Sequence, residues 1–158
     1  MKAENNKFMK RAIELAKENA NSTNGGPFGA VIVKDGKIIG EGFNSVTTNN
    51  DPTAHAEINA IRSACKNLNS YQLSDCEIYA SSEPCPMCLG AIYWARMKKI
   101  FYACSLEEAK NHNFDDVFIY DEFKKPNEMR LIPSEQIMQK EGVEIFISWN
   151  KNEKKIEY

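Results

Sequence analysis

Glu77-Ile-Tyr-Ala-Ser-Ser-Glu-Pro-Cys-Pro-Met-Cys-Leu-Gly-Ala-Ile-Tyr-Trp-Ala-Arg-Met-Lys-Lys-Ile-Phe-Tyr-Ala103 decides the fold. Residues 77–81 and 99–103 are short runs rich in Ile and aromatic side chains, and they read as strands. Between them residues 86–95 are apolar nearly all round, which predicts a buried helix. A strand that returns through a helix is the connection that parallel pairing requires. Upstream, residues 30–34 and 37–43 are two β-rich runs joined by Asp35-Gly36, a strong two-residue hairpin signal. Phe8, Ala12, Ile13, Leu15, Ala16 and Ala20 recur at helical spacing and predict a helix over residues 5–20. Ala60, Ile61, Ala64, Cys65 and Leu68 mark another, starting near Ala54, with Asp51 or Thr53 expected as its cap. Residues 21–27 and 44–53 read as loops. The order hairpin, helix, strand, helix, strand predicts an α/β domain with helices packed on a central mixed sheet. Downstream, residues 114–123 read as a short helix, and residues 136–155 fit either strand or helix. No repeat or low-complexity linker interrupts the chain, so residues 1–158 are expected to form a single domain.

Composition narrows the function. With 158 residues, 42% hydrophobic and 27% charged, the chain suits one globular domain and excludes disorder. A net charge of −2 argues against a bulk electrostatic grip on nucleic acid. The longest apolar stretch, residues 88–95, is far too short to span a bilayer, so no membrane partner is expected. Residues 1–20 are charged throughout and show no apolar signal core. Five cysteines cannot all pair within one chain, and the expected setting is reduced thiols in the cytoplasm.

Three segments hold the candidate chemistry: His55-Ala-Glu57, Pro84-Cys-Pro-Met-Cys88 and Phe114-Asp-Asp116. Pro86 suits the first position of a helix, which would make Cys85 the N-cap and put Cys88 in the first turn. Both thiols would sit at the positive end of the helix, where thiolate is favoured and a soft metal is well held. The same C-x-x-C also suits a redox pair or two packed thiols. A structural zinc ribbon would need a second close pair, and Cys65, Cys76 and Cys104 are scattered. His55, at the start of a predicted helix, would complete a His/Cys/Cys set of three ligands and leave a fourth position for water, the pattern of a catalytic zinc site. Zinc lowers the pKa of such a water to about 7. Glu57, a carboxylate beside the ligands and not one of them, would move its proton.

The combination H-x-E…P-C-x-x-C is the signature of the zinc-dependent deaminases. Four stretches carry a closer resemblance: Gly26-Pro-Phe-Gly-Ala-Val-Ile-Val33, Asn49-Asn-Asp-Pro-Thr-Ala-His-Ala-Glu57, Glu83-Pro-Cys-Pro-Met-Cys-Leu-Gly-Ala-Ile-Tyr-Trp-Ala-Arg96 and Phe114-Asp-Asp-Val-Phe-Ile-Tyr120. With them the chain resembles the bacterial guanine deaminases, a family of the cytidine/deoxycytidylate deaminase superfamily. The resemblance runs from Phe8 to Tyr158, is densest over residues 25–120 and thins over residues 134–152. It implies a cytidine-deaminase-like three-layer α/β/α fold with a central mixed sheet, and hydrolytic deamination of guanine to xanthine and ammonia. It implies one Zn2+ per chain on His55, Cys85 and Cys88, with Glu57 as proton shuttle and Asp116 as a second catalytic acid. Asn44, Phe28, Ala56, Trp94 and Asp115 would contact substrate, a small purine. Asp115 and Asp116 alternatively cap the following helix, and Phe28 and Trp94 alternatively pack in the core. A homodimer is implied, with residues 134–158 crossing to the partner subunit and Tyr158 closing its site. The rival activities are a tRNA adenosine deaminase, against which the acidic balance and the Phe-Asp-Asp segment speak, and deamination of guanosine or another free purine or pterin. A non-catalytic zinc-binding module is the rival outside enzymes, and it would have no need of Glu57.

Overall fold

The computed structural model describes residues 2–157, with side chains from residue 6 onward. Of the described residues, those up to Phe118 form one unit and those from Ile119 a second. In the first unit the chain runs α1 (Lys2–Ala20), β1 (Gly29–Lys34), β2 (Lys37–Phe43), α2 (Val46–Asn49), α3 (Ala56–Leu68), β3 (Glu77–Ser82), α4 (Pro86–Trp94), β4 (Lys99–Cys104) and α5 (Leu106–Lys110). Helix α6 (Val117–Lys124) leads into the second unit.

The sheet order is β2-β1-β3-β4. β1 is antiparallel to both β2 and β3, while β3 and β4 run parallel on either side of α4. The mixed sheet is therefore the one expected. Asp35 and Gly36 take φ of 49° and 71°. Left-handed conformations at both central residues are what a tight type I′ hairpin turn needs.

Strand alternation builds two cores, one on each face. Ala30, Ile32, Ile78 and Ala80 meet Ala56, Ala60 and Ala64 of α3 and Ile92 of α4. Val31, Val33 and Tyr79 meet Phe8, Ala12 and Leu15 of α1. The sheet is thus sandwiched between helices, in three layers. Gly42 lets α3 lie directly on β2, since a Cβ there would sit 2.2 Å from the Ala56 carbonyl oxygen and 2.4 Å from the Ala60 nitrogen.

Three local expectations change. Residues 44–53 contain α2 rather than loop alone. The cap of α3 is His55, whose side chain makes no capping bond. Asp51 instead accepts from Thr53 N–H at 2.8 Å and from Thr53 Oγ1 at 2.6 Å, so the two expected caps satisfy each other in a turn. Helix α6 begins at Val117 rather than at 114, because Asp115 Oδ1 accepts the Val117 N–H at 3.1 Å and ends the preceding loop. The second unit holds a short 3-10 turn (Asn127–Met129) and α7 (Gln139–Lys151), so residues 136–155 are largely helical. Arg130 ties the turn region together, its Nε donating to the carbonyls of Glu122 and Lys125, both at 3.1 Å.

Candidate active site

The candidate chemistry converges at one end of the sheet. Phe28 precedes β1, Asn44 follows β2, Cys85 follows β3 and Asp116 lies beyond β4 and α5. His55 and Cys85 are the N-caps of α3 and α4, and Cys88 is in the first turn of α4. Two helix starts thus bring three soft donors together, where the helix dipoles favour anionic sulfur.

His55, Cys85 and Cys88 present ligand atoms that all lie within 4.8 Å of one another. Both Sγ atoms stand 3.6 Å from His55 Nδ1. Around a tetrahedral zinc with bonds of about 2.1 Å to N and 2.3 Å to S, an N–S pair is separated by about 3.6 Å. The donor set therefore fits zinc in both chemistry and spacing. Cys65, Cys76 and Cys104 are free thiols outside this group.

The electrostatics follow from burial and crowding. The Cys85 thiol is held down at about 4, first by the hydrogen bond from Cys88 and then by the His55 ring. Cys88 is pushed up because it donates that bond, and burial and the nearby Glu57 add to the effect. His55 is raised, chiefly by its bond to Cys85. Glu57, 8% exposed, is raised to about 7 by burial, with the Cys85 charge acting the same way. Asp116 is raised by burial and then by the Cys85 charge.

Phe28, Asn44, His55, Glu57, Cys85 and Asp116 line one cavity of about 260 Å³. Asn44 is fixed by its surroundings. Its Oδ1 accepts from the backbone N–H groups of Gly26 and Val46, each at 3.2 Å. The acceptor end of the amide is thereby committed to the protein, and its NH2 remains.

Three of the expected substrate contacts lie elsewhere in this chain. Ala56, 1% exposed, packs in the core with Ala60, since one step along α3 turns it away from the Glu57 side. Trp94, 67% exposed, ends α4, about 13 Å of helix rise from Cys85. Asp115 pairs with Lys110 at 3.6 Å and accepts the first N–H of α6, whereas Asp116 takes the cavity position. Tyr158 lies outside the described residues.

Three residues to which the sequence assigned no role also shape the site. Phe114 packs edge-on against Phe28, with ring centroids 4.9 Å apart, and lines the cavity. Glu83 lines it too and accepts the Leu106 N–H at 3.2 Å. Asn19, 3% exposed, donates through Nδ2 to the carbonyls of Gly26 at 2.7 Å and Asn44 at 2.8 Å. Its signal was there to find: an amide on the apolar stripe of Ala12, Leu15 and Ala16.

A family model described as the cytidine and deoxycytidylate deaminase zinc-binding region matches residues 2–104. The guanine deaminase of Bacillus subtilis (strain 168) is 59% identical over 96% of this chain and 97% of its own. The X-ray structure of guanine deaminase from Bacillus subtilis superposes with a TM-score of 0.94 at 58% identity, over 97% of this chain and 98% of the other. A tRNA-specific adenosine deaminase of Haemophilus influenzae is 37% identical over 96% of this chain and 87% of its own. A guanine deaminase from Nitrosomonas europaea gives a TM-score of 0.65 at 32% identity, over 69% of this chain and 63% of the other.

Proposed function

The chain belongs to the cytidine and deoxycytidylate deaminase zinc-binding family, and from that membership we propose that it hydrolyses free guanine to xanthine and ammonia. The observation that carries the reading is one cavity joining a His/Cys/Cys donor set, a buried carboxylate outside that set and a fixed amide. Guanine is favoured as substrate because the guanine deaminase relative is 59% identical over 96% of this chain, against 37% over the same share for the tRNA-specific enzyme.

One zinc per chain would be held by His55, Cys85 and Cys88. When bound, it lowers the pKa of a water to about 7 and so supplies a nucleophile at neutral pH. Water attacks C2 of guanine. Glu57, facing the same cavity, takes the proton released and hands it to ring N3, so that C2 becomes tetrahedral. A second proton, from the new hydroxyl, passes through Glu57 or Asp116 to the exocyclic amine. The C2–N2 bond breaks, ammonia leaves and the C2 oxygen becomes the oxo group of xanthine. Asn44 donates its NH2 to the purine oxo group, and Phe28 walls the ring.

The two units work as one deaminase domain within a homodimer, with residues 134–158 crossing to the partner and Tyr158 closing the partner's site. This is supported by α7, where Ile145 and Phe146 are each 69% exposed in the single chain. The enzyme works in the cytoplasm, a setting supported by five free cysteines. No described helix is long and apolar enough to cross a membrane.

Ammonia release measured across guanine, guanosine, adenine, cytosine and tRNA tests the activity. Guanine is expected to have the highest kcat/KM, and a better rate on tRNA or guanosine overturns the substrate assignment.

A further inference from the structure

We propose that Asn19, which lies outside the cavity, is a positioning residue that sets substrate selectivity by holding the Asn44 amide with only its NH2 available, so that the site takes purines carrying an oxo group at that edge and rejects those carrying an amino group. This rests on the deaminase reading and deepens it.

An Asn amide offers two donors and one acceptor, and a site that left it free to turn over would take either an oxo or an amino edge. Here Oδ1 of Asn44 already accepts two backbone N–H groups, from Gly26 and Val46. Turning the amide over would set its NH2 against both N–H groups. Among the described residues no fully buried side-chain N or O lacks a partner. Among the described residues Asn44 Nδ2 has no protein acceptor, so it is not sealed off, and Asn44 lines the cavity. The donor end is the one a ligand meets.

That lock depends on where Gly26 is held. The loop before β1 runs Asn21-Ser-Thr-Asn-Gly-Gly-Pro27, a sequence with little stiffness of its own. Asn19 Nδ2 grips both sides of the lock at once, through the carbonyls of Gly26 and Asn44. Its own Oδ1 accepts from Ser22 Oγ at 3.1 Å, which orients the Asn19 amide in turn. Asn19 is absent from the cavity lining, so it acts through Asn44 and Gly26 and never on substrate. The fit is close on the loop side as well: a Cβ on Gly25 would lie 2.2 Å from Asn44 Oδ1. An amide aimed by a buried clamp discriminates strongly, because the wrong edge leaves a desolvated donor facing a donor.

The test compares guanine with 2,6-diaminopurine, which differ at C6, by ammonia release from wild type, Asn19→Leu, Ser22→Ala and Gly25→Ala. Zinc content and thermal midpoint are measured alongside. Wild type is expected to prefer guanine by at least ~100-fold in kcat/KM. Asn19→Leu, close in volume but unable to bond, should keep zinc, raise KM for guanine more than it lowers kcat, and cut the preference at least tenfold. Ser22→Ala and Gly25→Ala disturb the same lock from the loop side and should cut it in the same direction. A preference unchanged in Asn19→Leu, or equal losses on both purines, overturns the proposal. If Asn19→Leu fails to fold, the two loop variants decide: an unchanged preference in both overturns it. A wild-type protein inactive on guanine refutes the deaminase reading itself, whereas an active one with no selectivity shift refutes only the role of Asn19.

Discussion

Glu57 and Cys85 are neighbours in the same cavity with opposite demands. In the proposed mechanism one must exchange protons, and the other must stay a thiolate. Glu57→Gln preserves shape and removes the exchange, so it should retain zinc and lose about 10²–10⁴ in kcat, the scale of positioned acid–base catalysis. Cys85→Ser should lose the metal itself. Elemental analysis beside turnover separates the two; a Glu57→Gln enzyme of near-normal rate contradicts the shuttle. The adjacent acids provide a second contrast. Asp115 is exposed and occupied with Lys110 and the start of α6, while Asp116 faces the cavity. Asp116→Asn is expected to depress guanine turnover at least tenfold more than Asp115→Asn, read by loss of guanine absorbance. The His/Cys/Cys group and the cavity position of Glu57 were legible in the sequence because they depend on short motifs at helix starts. Which of two successive acids faces a cavity depends on where α6 begins, a tertiary matter. Asn19 showed only as an amide on an apolar stripe; its role was not readable for a related reason, since its partners lie across a loop.

At the level of elements, the seat of α3 on β2 governs the site, since His55 and Glu57 ride on the start of that helix. Gly42→Ala forces a methyl against two backbone atoms of α3 that cannot rotate aside. It should cost about 1–3 kcal/mol and weaken zinc binding together with stability, by denaturant titration and metal competition. Destabilisation with unchanged metal affinity would separate the helix seat from the site. A second joint ties α1 to β2, where Arg11 Nε and Nη2 meet the two carboxylate oxygens of Glu41, each at 2.8 Å. The Arg11 hydrogen bond holds the Glu41 carboxyl below its ordinary value of 4.5. A depressed carboxyl stabilises the fold above its unfolded pKa and loses that contribution as pH falls through the folded value. With Glu41 partly exposed, the pair contributes only about 0.5–1 kcal/mol. Glu41→Gln should therefore lower stability by that amount at pH 7 and by little at pH 3; an equal loss at both would exclude the pairing as its source. The four strands and two large helices were readable from period and from Asp35-Gly36. Helix α5 was missed, although Ser105 and Glu108 form a full capping box, because five residues carry too little periodicity to stand out. Residues 136–155 were ambiguous because Val143-Glu-Ile-Phe-Ile147 alternates like a strand within a segment that forms α7.

On the scale of the whole molecule, the decisive experiment concerns the tail. Refolding Glu57→Gln chains together with chains truncated before Glu153 should yield more activity than the two refolded apart, because one mixed site then has a working centre and a partner's tail. Full activity of the truncated chain alone excludes any closing role. His55, Glu57, Cys85 and Asp116 line a cavity at one end of the sheet, and the Asp35-Gly36 turn lies at the other end of β1 and β2 from Phe28 and Asn44. The first unit therefore has a working end and a handling end. A fluorophore, affinity tag or surface tether grafted at Asp35 and Gly36, both exposed, would fix the enzyme to an electrode or bead with its mouth turned to solution.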